Sequence, residues 1–239
     1  MTRRRWIADE VSGDRAALRG AHAAHLARVL RARVGQEFDI STGETVRRGR
    51  VVSVSDQRVD FELGEEVGAA IESAITLLLA VFKFDRFEWA VEKCTELGAG
   101  RIVPVIARRT DAHLAHAAVK RVERWERIAR EAAQQSRRVA PPEIASPVKL
   151  KEAIAQVEGS RIVLSEVEDG TMLRDVLADA GKASIVLAVG PEGGWSEDEL
   201  KMFADADWRA ASLGPTILRA ETAAIAACAV VSSSQYQPQ

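Results

Sequence analysis

Cysteine is nearly absent from these 239 residues: Cys94 and Cys228 make no CxxC pair and set up no disulfide framework. A reducing, cytoplasmic setting is the simple expectation. Long apolar runs are missing too. The longest, residues 75–82 broken only by Thr76 and residues 223–231, fall far short of the ~20 residues a membrane helix needs. No apolar segment follows "RRRW" near the N-terminus, so no secretory leader is expected. His22 and His25 stand i,i+3, as do His113 and His116, but no third ligand follows at metal spacing, and no metal is expected. Nothing resembles a Ser-His-Asp arrangement, and the acidic pairs Glu65 with Glu66 and Glu168 with Asp169 read as solvated loops. There is no internal repeat, and the only low-complexity tract is the polar tail "SSSQYQPQ".

What remains is an ordinary globular composition, 47% hydrophobic and 28% charged. It is enough for one large or two small domains. The net charge of −2 conceals a division along the chain. Residues 1–58 carry 12 basic and 7 acidic side chains, residues 101–151 carry 12 and 5, and residues 152–208 carry 4 and 13. Two basic segments suit a polyanionic partner, since phosphate contacts dominate nucleic-acid affinity. Solvated helix faces with internal ion pairs are the competing explanation.

The first 66 residues hold one helical segment, 20–31, then the alternating runs "EFDI", "TVRRGRVVSVS" and "RVDFEL", which predict a small β-barrel. The segment "GEEVGAA" (64–70) has no apolar periodicity and reads as a linker. From residue 71 strands and helices alternate. "AITLLLAVF" is a strand, and Phe87, Ala90, Val91, Cys94 and Leu97 form a helix face that Gly98 ends. "RIVPVI", "RIVLS", "SIVLAV" and "RAASL" are strands, between helices at 119–136, 149–157, 171–180 and 197–205, with a last helix from 220. Such alternation predicts an α/β fold, a parallel sheet with helices on both faces. Trp89 and Trp125 sit with or beside apolar helix faces and read as core.

The stretch "LAVGPEGGWSEDEL" (187–200) places a glycine turn between a buried strand and a helix whose start is fixed by the capping box of Ser196 and Glu199. Open α/β sheets bind ligands beyond such strand ends. Neither GxxxxGK[ST] nor GxGxxG is present, and Glu192 at the centre of the turn would repel a pyrophosphate. "SLGPTILRAETAA" (212–224) repeats the strand-to-helix arrangement, with Arg219 and Glu221 where the last helix begins. A carboxylate there is also explained by the helix dipole. "REAAQQSRRVAPPE" puts Arg137 and Arg138 near a helix end, for phosphate or base contact or as an ordinary cationic terminus. In "HAAHLARVLRARVG", Arg28 and Arg31 share a helix face with His25 nearby.

In order along the chain, "HLARVLRARVG", "KFDRFEWAVEKCTELG" with "IVPVIARRT", "REAAQQSRR" with "PPE", and "VGPEGGWSEDEL" with "LGPTILRAETA" resemble the RsmE family of 16S rRNA (uracil-N3)-methyltransferases, members of the SPOUT superfamily. The resemblance runs from about residue 3 to 230, and GPEGG together with LGxxILRxETA is its most specific part. It implies a PUA-like RNA-binding barrel over 1–66. Residues 71–239 would form a SPOUT domain with a C-terminal trefoil knot, a threading rare enough that periodicity alone does not lead to it.

The resemblance further implies S-adenosylmethionine as cofactor, a homodimer, and 16S rRNA within the small subunit as substrate. Carried over residue by residue, the cofactor loops are Leu164, Ser165 and Glu166; Gly190, Pro191, Glu192, Gly193 and Gly194; and Leu213, Gly214, Ile217, Leu218 and Arg219. Rna contacts are expected from Arg3, Arg4, Arg5, His25, Arg28 and Arg31, with Arg137 and Arg138 nearer the site. Arg219 is the candidate for stabilising charge on the uracil oxygens, and Glu221 or Glu192 for taking the N3 proton. Many family members carry Arg where this chain has Thr216 in "LGPTILR". A catalytically silent rRNA-binding or ribosome-assembly factor on the same fold is the alternative; a phosphate-ligand enzyme is disfavoured by the acidic turn.

Overall fold

The computed structural model describes residues 5–69, 75–168, 170–180 and 184–235. Contacts divide the chain into two compact units, Met1–Glu72 with Ala133–Pro141, and Ser73–Ala132 with Pro142–Gln239.

The first unit is a six-stranded sheet curled into a half-barrel, in the order β1-β4-β5-β6-β3-β2. Its strands are β1 Arg5–Ile7, β2 Glu10–Ser12, β3 Arg15–Arg19, β4 Glu37–Ser41, β5 Thr45–Val54 and β6 Arg58–Ala69. All pairings are antiparallel except β1 with β4. Helix α1, Gly20–Ala24, continues as a wider π-turn over His25–Val29 and buries Ala23 and Leu26 against Leu18, Phe38, Ile40 and Phe61. The strands β1 to β3 escape the sequence pattern because three to five residues give little room for alternation. The expected linker at 64–70 is corrected. Through Ala69 it continues β6, with Val46 opposite Gly68 and Arg47 opposite Glu66 across a bulged ribbon. Residues 64–67 are exposed on both faces, so no apolar alternation marks the strand.

The second unit is a parallel sheet ordered β10-β8-β7-β12-β11-β13, with β9 beside β8. Its strands are β7 Ile75–Ala80, β8 Ala99–Ile106, β9 Glu143–Ile144, β10 Val148–Lys149, β11 Ser160–Leu164, β12 Ile185–Val189 and β13 Arg209–Ala211. The helices are α2 Phe84–Glu96, α3 Ala112–Ala118, α4 Val122–Gln135, α5 Leu150–Ala155, α6 Leu173–Ala180, α7 Glu197–Asp205 and α8 Ala220–Gln235. Alternation along β7 builds two cores. Ile75, Leu77 and Leu79 pack with Phe87, Cys94, Trp125 and Ala224, whereas Leu78 and Ala80 face Leu150, Phe203 and Trp208. Helices therefore cover both faces, as the βα alternation predicts.

Trp125 is fully buried, but Trp89 is 47% exposed on α2 and is not core. After β13 at the sheet edge, α8 returns across the sheet to pack on α2, α6 and β12. That return sets the walls of the site. Among the described residues, no helix is long and apolar enough to cross a membrane.

Candidate active site

The adjacent parallel strands β11, β12 and β13 end on one edge of the sheet and release three loops. Parallel α/β sheets gather ligand sites at such carboxyl ends. The loops enclose a cavity of about 400 Å³, the size of a small-molecule site. Leu164, Ser165 and Glu166 line it from the first loop; Gly190, Pro191, Glu192 and Gly194 from the second; Leu213, Gly214, Ile217 and Leu218 from the third. Val189 and Ala211 close it from the sheet, and Ala220 and Ala223 from α8. The sequence-predicted loops thus converge although Leu164 and Gly190 lie 26 positions apart in the chain. Trp195 and Met172 also line the cavity and were not singled out from sequence, because nothing local distinguishes them from packing and turn residues; Glu168, expected in a solvated loop, is corrected to the cavity wall.

The glycine turn is set by close approach. The Gly194 N–H donates to the Pro191 carbonyl at 2.8 Å, which closes a tight turn. Gly194 takes φ +67°, and a Cβ there would lie 2.6 Å from Oε1 of Glu166. A Cβ on Gly190 would lie 3.3 Å from the Trp195 indole nitrogen. Immediately after the turn, Ser196 and Glu199 form the expected capping box. Glu199 does more than cap: its carboxylate also accepts the Arg108 N–H at 2.7 Å. Arg108 pairs with Asp198 at 2.5 Å. Arg109 donates to the carbonyl of Gly193, and to that of Trp195 at 3.3 Å. The loop after β8 therefore straps the glycine turn and the start of α7 together, a link across some 84 residues that sequence spacing does not reveal.

Three expected site residues fall outside the lining. Gly193 faces Arg109 rather than the cavity. Arg219 is exposed, beside the lining residue Leu218. Glu221 is 3% exposed, and its Oε1 lies 3.7 Å from Nε of Arg86 on α2. Its other oxygen has no hydrogen-bond partner among the described residues. Of the three catalytic candidates, Glu192 is the one that lines the cavity and is exposed.

The expected RNA-contact residues lie in the first unit, with Arg3 and Arg4 outside the described residues. Arg5 donates to the Arg137 carbonyl, and Arg137 itself is exposed at φ +60°. The His25 ring sits 5.8 Å from that of Trp6. Arg28 is held by Asp56 at 2.6 Å, a hydrogen bond that raises the guanidinium and lowers the carboxyl from their ordinary pKa values. Arg31 is exposed, at φ +51°. Arg138 is partly buried, and that burial pulls its guanidinium below the usual value.

The cavity wall suits a ligand without phosphate. Glu166, Glu168 and Glu192 line it, and among the described residues no Lys, Arg or His does. The glycines leave backbone open to close approach, and apolar side chains supply the remaining surface.

The pattern of the RNA methyltransferase domain matches residues 70–232. The ribosomal RNA small subunit methyltransferase E of Aquifex aeolicus is 31% identical over 95% of this chain and 97% of its own. That of Synechocystis is 33% identical over 89% of this chain and 71% of its own. The crystal structure of a ribosomal RNA small subunit methyltransferase E from Neisseria gonorrhoeae bound to S-adenosyl methionine superposes with a TM-score of 0.83, at 28% identity over 97% of this chain and 98% of that one. Full-length similarity, the domain match and the loop-walled cavity agree: the chain belongs to the ribosomal RNA small subunit methyltransferase E family.

Proposed function

We propose that this protein methylates N3 of a uridine in the decoding region of 16S rRNA, with S-adenosylmethionine as donor. The observation that carries the reading is the cavity at the ends of β11, β12 and β13, walled by glycine-rich loops and carboxylates without a cation. When bound there, the cofactor would supply an electrophilic methyl group. Backbone groups of Gly190, Pro191, Glu192 and Gly194 and of Leu213 to Leu218, with Leu164 to Glu166, would hold its adenosine and methionine ends.

The target nitrogen carries a proton and lies on the Watson–Crick edge, so the uridine must be unpaired or flipped out. We assign acceptance of that proton to Glu192, a reading supported by its position on the cavity wall and its exposure. Arg219 stands at the start of α8, where its guanidinium can stabilise charge spreading onto the uracil oxygens. Glu221 is a poorer base, because it is buried beside Arg86. We assign it to holding α8 against α2.

Rna contact is assigned to residues 1–66, as a PUA-like barrel, and transfer to 71–239. Arg31 and Arg137, both exposed, are the leading phosphate contacts, with Arg3, Arg4, Arg5, His25, Arg28 and Arg138 alongside. The return of α8 from β13 onto α2 and α6 supports a trefoil-knotted chain. The reading includes a cytoplasmic homodimer; a single-chain sedimentation mass at micromolar concentration would contradict it.

Transfer of isotopically labelled methyl from S-adenosylmethionine to small subunits lacking the modification tests the activity. Labelled rRNA is the expected product. No label in rRNA, from protein that binds those subunits, would favour the silent RNA-binding factor instead.

A further inference from the structure

We propose that Glu166, Glu168 and Glu192 make this site selective for a sulfonium cofactor over its own demethylated product. The inference rests on the methyl-transfer reading and deepens it. Breaking the S–CH3 bond leaves both electrons on sulfur, forms the N3–CH3 bond and sends the N3 proton to a base. The ligand therefore ends with one positive charge fewer, and a wall of carboxylates distinguishes the two forms.

Three features of the wall support this. One of its charges is fixed by the backbone: the Glu168 carboxylate accepts N–H bonds from Gly170 at 3.1 Å and Thr171 at 2.9 Å. Glu166 lies against the glycine turn, where a Cβ on Gly194 would meet its Oε1 at 2.6 Å. Next, the negative field is not cancelled locally. No basic side chain lines the cavity among the described residues: Arg109 is engaged on the carbonyls of Gly193 and Trp195, Arg108 on Asp198, and Arg219, beside Leu218, is exposed outside the lining.

The carboxylates also do not converge into a metal site; among the described residues no group of three His, Cys, Asp or Glu could hold an ion. They act as a field on the cavity they line; Glu166 and Glu192 are exposed, so that field is screened by salt and is strongest at low ionic strength. Trp195, 6% exposed, supplies part of the low-dielectric wall, its indole against Gly190.

The consequence is functional. An enzyme whose product binds as tightly as its cofactor is throttled by that product, whereas a charge-selective pocket releases it once the positive charge has gone.

Isothermal calorimetry on the full chain tests this, with S-adenosylmethionine, S-adenosylhomocysteine and sinefungin, a non-transferable analogue that keeps a cationic group in place of the sulfonium. At low salt the two cationic ligands should bind about tenfold more tightly than the product, and the gap should close as salt rises. The double variant Glu166→Gln with Glu192→Gln should weaken both cationic ligands by about tenfold and leave product affinity within about twofold. Retained product binding also certifies that the variant is folded. Equal loss for all three ligands, an unchanged ratio, or wild-type protein that holds the product as tightly as the cofactor would each overturn the proposal. Wild-type protein that binds none of the three would instead refute the methyl-transfer reading beneath it.

Discussion

Gly193 and Gly194 look interchangeable in "GPEGG", yet replacing each by Ala should have very different effects. Gly194 sits at φ +67°, where an L-residue costs ~1–2 kcal/mol. Its new Cβ would also lie 2.6 Å from Oε1 of Glu166, well inside contact distance. That carboxylate is the far end of a flexible side chain, so it can swing away at small cost, but in swinging it moves a cavity wall. The strain of ~1–2 kcal/mol should lower the melting temperature by roughly 2–8 °C, at about 2–4 °C per kcal/mol for a unit of this size.

The distorted turn should weaken S-adenosylmethionine by about tenfold or more, since ~1.4 kcal/mol is a factor of ten. At Gly193 the backbone is not left-handed, and a Cβ would meet only Arg109 side-chain carbons, at 3.3 and 3.7 Å. Gly193→Ala should therefore melt within about 2 °C of wild type and bind within about threefold. Thermal unfolding by circular dichroism and calorimetry with the cofactor measure both. If Gly193→Ala costs as much as Gly194→Ala, or Gly194→Ala leaves affinity unchanged, the geometry assigned to this turn is wrong.

Arg86→Ala strands a buried carboxylate, Glu221, that now lies 3.7 Å from the guanidinium. We expect a loss of about 2 kcal/mol, discounted from the full cost of an orphaned buried charge because Arg86 is partly exposed. Glu221→Gln should cost less, and the double variant should resemble Glu221→Gln alone in urea unfolding. Filter binding to small-subunit rRNA should weaken more for Arg31→Ala than for Arg28→Ala, because Asp56 already engages Arg28 at 2.6 Å; the reverse order would remove Arg31 from the interface.

Cys94 is held well above the usual thiol range, first by its hydrogen bond with Cys228 and then by burial. A folded pKa above the unfolded one stabilises the protein below the unfolded value, about 8.5, and that contribution is lost as pH rises beyond it. Native protein should thus resist iodoacetamide at pH 8 and react after denaturation, and rapid native labelling of Cys94 would contradict this.

What the sequence revealed was what depends on neighbouring residues. The capping box of Ser196 and Glu199 and the helix over 197–205 were legible because cap chemistry is local. The face of Phe87, Ala90, Val91 and Cys94 was legible because burial follows the helical period. Features set by distant partners were not. The extension of β6 through 64–69 is recorded only in its pairing with β5, and β1 to β3 are too short to carry a pattern. Glu221 looked like a base at a helix start, but its burial beside Arg86 depends on how α8 packs on α2. The Arg109 strap and the different conformations of Gly193 and Gly194 depend likewise on tertiary contact. The family resemblance supplied the loops as a set, and the structure sorted their members into wall, support and surface.

The most direct test of the account is mass mapping of rRNA nucleosides after unmodified small subunits are incubated with the protein and S-adenosylmethionine. The account predicts a single new methyl group at N3 of one uridine in the decoding region. A methyl on cytosine or on a ribose oxygen would contradict the assigned target, and unmodified rRNA from protein that binds the cofactor would contradict the assigned reaction.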